Sequence, residues 1–232
     1  MAKVIFDDMA GGWDNVCGGG IWWKKDSRYK NANELFLSLA ARLAKLTEEP
    51  ERRARYQVWA SREWQRFAAS GMMNGESLIN DGLDSAYRNN HRTTWPYNQG
   101  VILGGLSALA AESGDGRLLD RARSIALAAI SRLTDKDGIL HDACEPRCGA
   151  DGSEFKGIFA RNLAVLNAAA PDPRFRSFLQ TNAQSRWRNR DTDNRFGLLW
   201  SEPSDPKDAA TQISTLDALL AAAEAMRAPG KP

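Results

Sequence analysis

Residues 97–111, YNQGVILGGLSALAA, and residues 155–170, FKGIFARNLAVLNAAA, are apolar or small on nearly every face. Residues 51–67, ERRARYQVWASREWQRF, and residues 117–133, RLLDRARSIALAAISRL, instead place arginines opposite an apolar stripe. A helix that is apolar all round is buried, whereas an amphipathic helix faces solvent on one side. The pattern therefore predicts helical hairpins, each with one inner and one outer helix.

The same helical periodicity extends along most of the chain, and strand-like alternation is nearly absent. Apolar residues recur at helical spacing in residues 35–46, 56–67, 101–109, 118–133, 155–166, 175–187 and 213–223, and residues 2–9 resemble the tail of a further helix. We interpret residues 1–232 as one all-α domain, a toroid of helical hairpins. Trp59, Trp64 and Trp187 lie at helical spacing, so we expect them in the core.

Composition narrows the range of partners. The 31 Lys and Arg residues nearly balance the 29 Asp and Glu residues, for a net charge of +2, which is too even for a protein that mainly binds nucleic acid or anionic lipid. No apolar run approaches the roughly 20 residues of a membrane span, and we recognise no signal peptide. A neutral or small ligand fits this charge balance better than nucleic acid or anionic lipid does. Cys144 and Cys148 could form a disulfide, which would leave Cys17 over.

Long loops over residues 10–31, 71–96, 134–154 and 189–208 lead into the inner helices. In a toroid such loops converge at one end, and loops of this length are usually functional. They carry aromatic rings, amides and carboxylates, which suit a pyranose because its C–H faces stack on rings while its hydroxyls need polar partners. The candidates are Trp13, Asn15, Trp22, Trp23, Asn31, Asn80, Asp81, Trp95, Asn98, Gln99, Asp151 and Glu154.

Structural explanations compete with a binding role for several of these residues. Trp22 and Trp23 could be core residues, and the polar groups in YNQG and in DGSEF could simply cap the helices that follow. His141, Asp142, Cys144 and Cys148 could be considered a metal set, but the spacing is not that of a standard zinc site. With two histidines in the chain, a serine-type triad or a histidine-based epimerase or lyase has little support.

Six segments in order resemble glycoside hydrolase family 76, the endo-α-1,6-mannanases and their fungal cell-wall relatives. They are IFDDMAGGWDNVCGGGIWW, YKNANELFLSLAARLA, SLINDGL, TTWPYNQGVILGGL, GILHDACEPRCGADGSEFKGIFARNL and NRFGLLW. The resemblance implies an α/α six-barrel of twelve helices. It also implies secreted or cell-surface action on α-1,6-linked mannan and retaining hydrolysis by two adjacent aspartates, without a cofactor or a metal.

Loop chemistry and the resemblance together predict a set of substrate-binding residues. They are Trp22, Trp23, Asn31, Asp81, Tyr97, Asn98, Gln99, Asp151, Glu154 and Lys156.

Asp7 and Asp8 are adjacent, but the resemblance implies that the catalytic pair lies upstream of this segment. Neighbours on a regular helix diverge by about 100°, whereas retaining glycosidases need carboxyl groups about 5 to 5.5 Å apart. We therefore interpret the pair as the last turn of an outer helix, and name no catalytic residue. The helix count predicts that about four of the twelve helices precede Met1. A ring so shortened would be incomplete and would expose apolar flanks, which predicts self-association.

Three functional hypotheses follow. The chain is a family 76 hydrolase domain that lacks its catalytic pair, a non-catalytic mannan-binding remnant, or a helical scaffold that binds protein. Only the first requires an upstream Asp-Asp pair, and only the first two predict mannan binding.

Overall fold

The structure, a computed structural model, describes residues 1–24 and 33–227. Its helices are α1 (Ala2–Gly11), α2 (Asn33–Leu46), α3 (Pro50–Ala69), α4 (Pro96–Ser113), α5 (Gly116–Arg132), α6 (Gly149–Gly152), α7 (Phe155–Ala169), α8 (Pro173–Arg188) and α9 (Ala209–Met226). A 3₁₀ turn spans Val16–Gly18. The described ranges contain three isolated β-bridges and no strand. The all-α prediction is confirmed, and the short helix α6 is an addition to it.

The helices form the predicted inner and outer layers. The inner helices α2, α4, α7 and α9 pack side by side in that order, while α3 covers α2, α5 covers α4, and α8 packs on both α7 and α9. Helix α1 packs on α2. Buried residues from these helices join one hydrophobic cluster. Helix α4 is buried on almost every side, as its uniformly apolar sequence predicts.

Glycines set the spacing and the direction of the inner helices. A Cβ on Gly100 of α4 would lie 2.5 Å from Phe159 Cα, and one on Gly157 of α7 would lie 2.5 Å from Ser214 Cα. The backbones are thus closer than any side chain allows. Gly104, four residues beyond Gly100, approaches Asn162, so α4 and α7 run parallel.

Helices α7 and α9 are parallel as well. Gly157 N donates to Ser214 Oγ at 3.1 Å, and one turn later Arg161 is 2.8 Å from Asp217. Glu34 in the first turn of α2 is within electrostatic range of Asp81, which accepts a hydrogen bond from Trp95 at the N-cap of α4. All four inner helices therefore begin at the same end of the molecule. The loops that precede them are therefore neighbours.

Two of the three helical tryptophans lie where expected. Trp59 and Trp64 pack against the hydrophobic cluster. The prediction for Trp187 is wrong, because its side chain is 52% exposed and stacks on the Arg190 guanidinium at 4.2 Å. It lies in the last turn of α8, where Ser185 and Arg186 are the buried residues.

Some inner helices also present apolar side chains to solvent. Those on α9 are Ile213, Leu216 and Leu220, and those on α2 are Leu35 and Leu46. Self-association through such faces stays a prediction. None of the helices in the described ranges has the length and apolarity that a bilayer crossing requires.

Candidate functional site

The starts of the four inner helices and the loops before them form one region, which we call the mouth. It comprises the first turns of α2, α4, α7 and α9 with the described loop residues 12–24, 70–95, 133–154 and 189–208. The predicted substrate-binding residues fall in this region, except Asn31, which lies outside the described residues.

The glycine-rich loop after α1 is fastened to α2 and α3. Ile21 N donates to Asn33 Oδ1 at 2.9 Å, and Arg66 Nε donates to Gly19 O at 3.0 Å. Gly20 has a φ of +107°, and a Cβ there would lie 2.8 Å from both the Arg66 guanidinium and Asn33 Oδ1. Only glycine fits so close an approach. These contacts therefore hold in place the loop that leads into Trp22 and Trp23.

Those two tryptophans differ in exposure. Trp22 is half-buried and donates its indole N–H to Asp14 Oδ2 at 2.5 Å. Trp23 is 55% exposed, and the Lys24 ammonium lies 4.3 Å from its ring centroid. Trp23 is therefore not a core residue, and one of its faces carries a cation.

Asp7 and Asp8 lie in the C-terminal half of α1, which continues for three residues beyond Asp8. Both are exposed, and Asp7 is 2.8 Å from the exposed Arg55 of α3. Together with Trp22 and Trp23 they line an open cleft of 690 Å³. Because the helix does not end at the pair, the two carboxylates leave the helix in different directions.

An aromatic cluster joins the start of α4 to the start of α7. It consists of Trp95, Tyr97 and Phe155, with ring centroids 5.5 Å apart for Trp95 and Phe155 and 4.3 Å apart for Tyr97 and Phe155. Trp95 donates its indole N–H to Asp81 Oδ1 at 2.9 Å. All three rings are half-buried. The cluster offers partly exposed ring surface next to a carboxylate.

Gln99 and Asn98 have different roles although they are neighbours. Gln99 is fully buried, accepts from Ile79 N and donates to Ile79 O, both at 2.8 Å, so its amide holds the loop over residues 70–95. Asn98 is also fully buried, yet neither of its amide atoms hydrogen-bonds another residue of the described ranges. Neither side chain caps α4, whose N-cap Trp95 makes no side-chain cap bond.

The loop before α7 is held by a disulfide and by a buried ion pair. Cys144 and Cys148 form a disulfide, so two of the four residues considered above as metal ligands are bonded to each other instead. Lys156 is fully buried, pairs with Glu145 and donates to Leu198 O at 3.0 Å. Burial lowers the pKa of Lys156, and Glu145 opposes that change. The Lys156 ammonium, predicted to contact substrate, thus has protein partners.

Asp151 and Glu154 lie at the edge of this loop. Asp151 is exposed in α6, and Glu154 is half-exposed at the N-cap of α7, where its side chain makes no cap bond. Ser153 donates instead to Gly149 O at 2.7 Å. Helix capping therefore explains neither carboxylate.

His141 and Asp142 complete the loop. The two ring nitrogens of His141 lie 2.6 Å from Glu145 Oε2 and 3.1 Å from Asp135 Oδ2. Burial raises the pKa of Asp142 to about 6, and its Oδ2 atom has no hydrogen-bond partner within the described part of the chain. Cys17, the third cysteine, lies elsewhere, with Sγ 3.7 Å from Tyr87 O.

Glu34, in the first turn of α2, escaped the sequence analysis. It is fully buried, and its carboxylate oxygens hydrogen-bond no other side chain or backbone group among the described residues. Burial raises the pKa of Glu34 to about 7; Asp81 raises it further, whereas its own backbone N–H and Arg66 lower it. The signal in the sequence was a carboxylate inside NELFLSLAA, an otherwise apolar inner helix.

The model of glycosyl hydrolase family 76 matches residues 1–230. The chain belongs to this family. A mannan endo-1,6-alpha-mannosidase of Saccharomyces cerevisiae, DFG5, is 29% identical over 225 residues, which are 88% of this chain and 48% of that protein. A second from the same yeast, DCW1, is 31% identical over 201 residues, 79% of this chain and 43% of that protein. The family 76 chain thus spans about half the length of these relatives.

Solved structures of family 76 share the fold. An α-1,6-mannanase from Salegentibacter sp. HEL1_6 has a TM-score of 0.81 and 27% identity, covering 96% of this chain and 68% of that one. Dfg5 from Chaetomium thermophilum, solved with glucosamine, has a TM-score of 0.80 and 25% identity, covering 97% and 59%. The helical hairpins described above are therefore those of the family 76 barrel.

Proposed function

We propose that this chain binds α-1,6-linked mannan at the mouth, as the sugar-binding part of an endo-acting, retaining mannanase. The observation that carries the proposal is the aromatic cluster, whose Trp95 is fixed by Asp81. Aromatic faces take the C–H side of a pyranose, and nearby carboxylates and amides take its hydroxyls. The partly exposed rings with Asp81, Asp151 and Glu154 around them supply both.

The relatives support this choice of polysaccharide. Both yeast proteins are named mannan endo-1,6-alpha-mannosidases, and an inactive variant of the Salegentibacter enzyme was solved with α-1,6-mannotriose. The disulfide Cys144–Cys148 is typical of an oxidising compartment. We therefore propose secreted or cell-surface action.

We further propose that Asp7 and Asp8 are structural. A retaining mechanism needs one carboxylate as nucleophile and one carboxylic acid as proton donor, about 5 to 5.5 Å apart on either side of the scissile bond. Asp7 is paired with the exposed Arg55, and the two side chains leave a continuous helix in different directions. We expect the 232-residue chain to bind mannan without hydrolysing it.

Calorimetric titration with α-1,6-mannotriose tests binding, with Trp95→Ala as the site variant. Leu46→Ala is the control, since Leu46 is exposed at the last residue of α2, the end opposite the mouth. We expect Trp95→Ala to weaken binding by about 1 to 3 kcal/mol and the control to leave it unchanged. Equal affinities in the two variants, or no binding by the parent chain, would overturn the proposal.

Release of reducing ends from linear α-1,6-mannan tests hydrolysis. The parent chain is compared with the double variant Asp7→Asn/Asp8→Asn, and circular dichroism verifies that both are folded. Activity in the parent that disappears in the double variant would show that the opening aspartates do the chemistry and that the cleft beside Trp22 and Trp23 is the reacting site.

A further inference from the structure

Glu34 is a buried carboxylate whose oxygens have no hydrogen-bond partner among the residues that the structure describes. Buried polar groups in native proteins almost always have a hydrogen-bond partner, so an exception needs an explanation. Both Glu34 oxygens are without one in the part of the chain that the structure describes, and the side chain is fully buried. A charge in that position is expensive, whereas a neutral carboxylic acid is far less so.

The surroundings of Glu34 connect it to both aromatic parts of the mouth. Its neighbour Asn33 holds Ile21 of the glycine-rich loop, directly before Trp22. On the other side Glu34 is within electrostatic range of Asp81, the carboxylate that accepts the Trp95 indole N–H. A change of charge on Glu34 therefore acts on the group that fixes the aromatic cluster.

The charged groups around Glu34 are few. Helix α3 brings Arg66, which lies 3.7 Å from Glu63 and donates to Gly19 O. The loop over residues 70–95 brings Asp81. The first turn of α4, the helix that packs beside α2, carries the uncharged residues Asn98 and Gln99.

The carboxylates on α1, which packs on α2, and on the described loop after α1 are exposed or engaged. On α1 they are Asp7 and Asp8, both exposed. On the loop after α1 it is Asp14, which accepts from Val16 N at 2.9 Å and from Trp22. The described charges that act on Glu34 are thus one cation, already engaged, and one carboxylate, Asp81, and full burial adds to the effect of Asp81 in favouring the neutral form of Glu34.

We propose that Glu34 is a positioning residue that must stay uncharged for the mouth to hold its sugar-binding geometry, so that mannan binding is lost as Glu34 ionises. The proposal rests on the proposed function of the mouth. A negative charge on Glu34 repels Asp81 and has no hydrogen-bond partner among the described residues, so the start of α2 and the Asp81–Trp95 contact rearrange to admit water. The proton on Glu34 is exchanged with solvent only, and no bond to the sugar forms or breaks.

The test is the dissociation constant for α-1,6-mannotriose, measured by calorimetry at pH 5.5 and pH 8.5. We expect binding by the parent chain to weaken by at least about tenfold at the higher pH, a common size for coupling between two sites. Glu34→Gln, which keeps the shape and cannot ionise, should bind alike at both pH values. Glu112→Gln is the matched control, since Glu112 accepts from Gln57 at the far end of α4, and should behave like the parent.

Each possible result either supports or overturns the inference about Glu34. Equal binding by the parent at both pH values overturns the inference and leaves the proposed function intact. Persistent pH dependence in Glu34→Gln overturns it too, and assigns the effect to another group such as Asp142. No binding by the parent at either pH overturns the proposed function and the inference together. Should Glu34→Gln fail to fold by circular dichroism, Glu34→Met serves as the uncharged variant, with the same expected result.

Discussion

Replacing Glu34 by glutamine should change how the stability of the protein depends on pH. In the folded chain, burial raises the pKa of Glu34 from 4.5 to about 7. Between these values the folded state binds more protons than the unfolded state, so the free energy of unfolding falls as pH rises. The contribution is fully present below pH 4.5 and is lost as pH rises through 7.

The size of the effect follows from that difference in pKa. At about 1.4 kcal/mol for each pKa unit, ionising Glu34 costs the folded state about 3 kcal/mol by pH 8, most of it lost above pH 5. Full burial leaves little solvent to screen the charge. Glu34→Gln carries no such penalty. Urea unfolding should therefore find it close to the parent at pH 4.5 and about 3 kcal/mol more stable at pH 8.

Glu112→Gln serves as a second variant. It makes the same chemical change in another environment, a half-buried position where Glu112 accepts from Gln57. Its stability should follow the parent across the whole pH range. Parallel curves for the parent and Glu34→Gln would refute the reasoning, since they would mean that Glu34 ionises in the folded state as easily as in the unfolded chain.

Two other substitutions test the packing of the site. Glu145→Gln removes the carboxylate that pairs with the buried Lys156 ammonium, so urea unfolding should show a loss of about 3 to 5 kcal/mol. The exposed Glu76→Gln should lose less than about 1 kcal/mol, and similar losses in the two variants would contradict the buried pair. Gly157→Ala places a Cβ 2.5 Å from Ser214 Cα, and should lower stability by about 1 to 3 kcal/mol. An unchanged melting temperature would show that α7 and α9 are not in backbone contact.

The sequence predicted the helical layers well because burial dictates composition. The uniformly apolar or small segments became α4 and α7, and the arginine-rich segments became α3 and α5. The prediction for Trp187 was wrong because periodicity describes a whole helix, whereas in the last turn of α8 Ser185 and Arg186 are buried and Trp187 is exposed. The short helix α6 has too few residues for any periodicity to show.

The sequence predicted which types of residue form the site better than it predicted the contacts of each one. Aromatic and polar residues do meet at the starts of the inner helices, yet Gln99 and Lys156 have partners within the protein. Which polar side chain is held and which is left without a partner depends on contacts between distant segments, such as Gln99 with Ile79. Glu34 was missed for the same reason, since its environment comes from α3 and from the loop over residues 70–95.

The backbone contacts at Gly100 and Gly157 have a consequence for how the loops can vary. They fix the position of α4 along α7 and of α7 along α9 through contacts inside the helical layer, so the arrangement of these helices does not depend on what the loops contain. Loops from a relative could then be grafted onto this chain, one hairpin at a time, without shifting the helices. The loops that form the recognition surface can therefore change one at a time, while the glycine contacts keep the helices below them aligned.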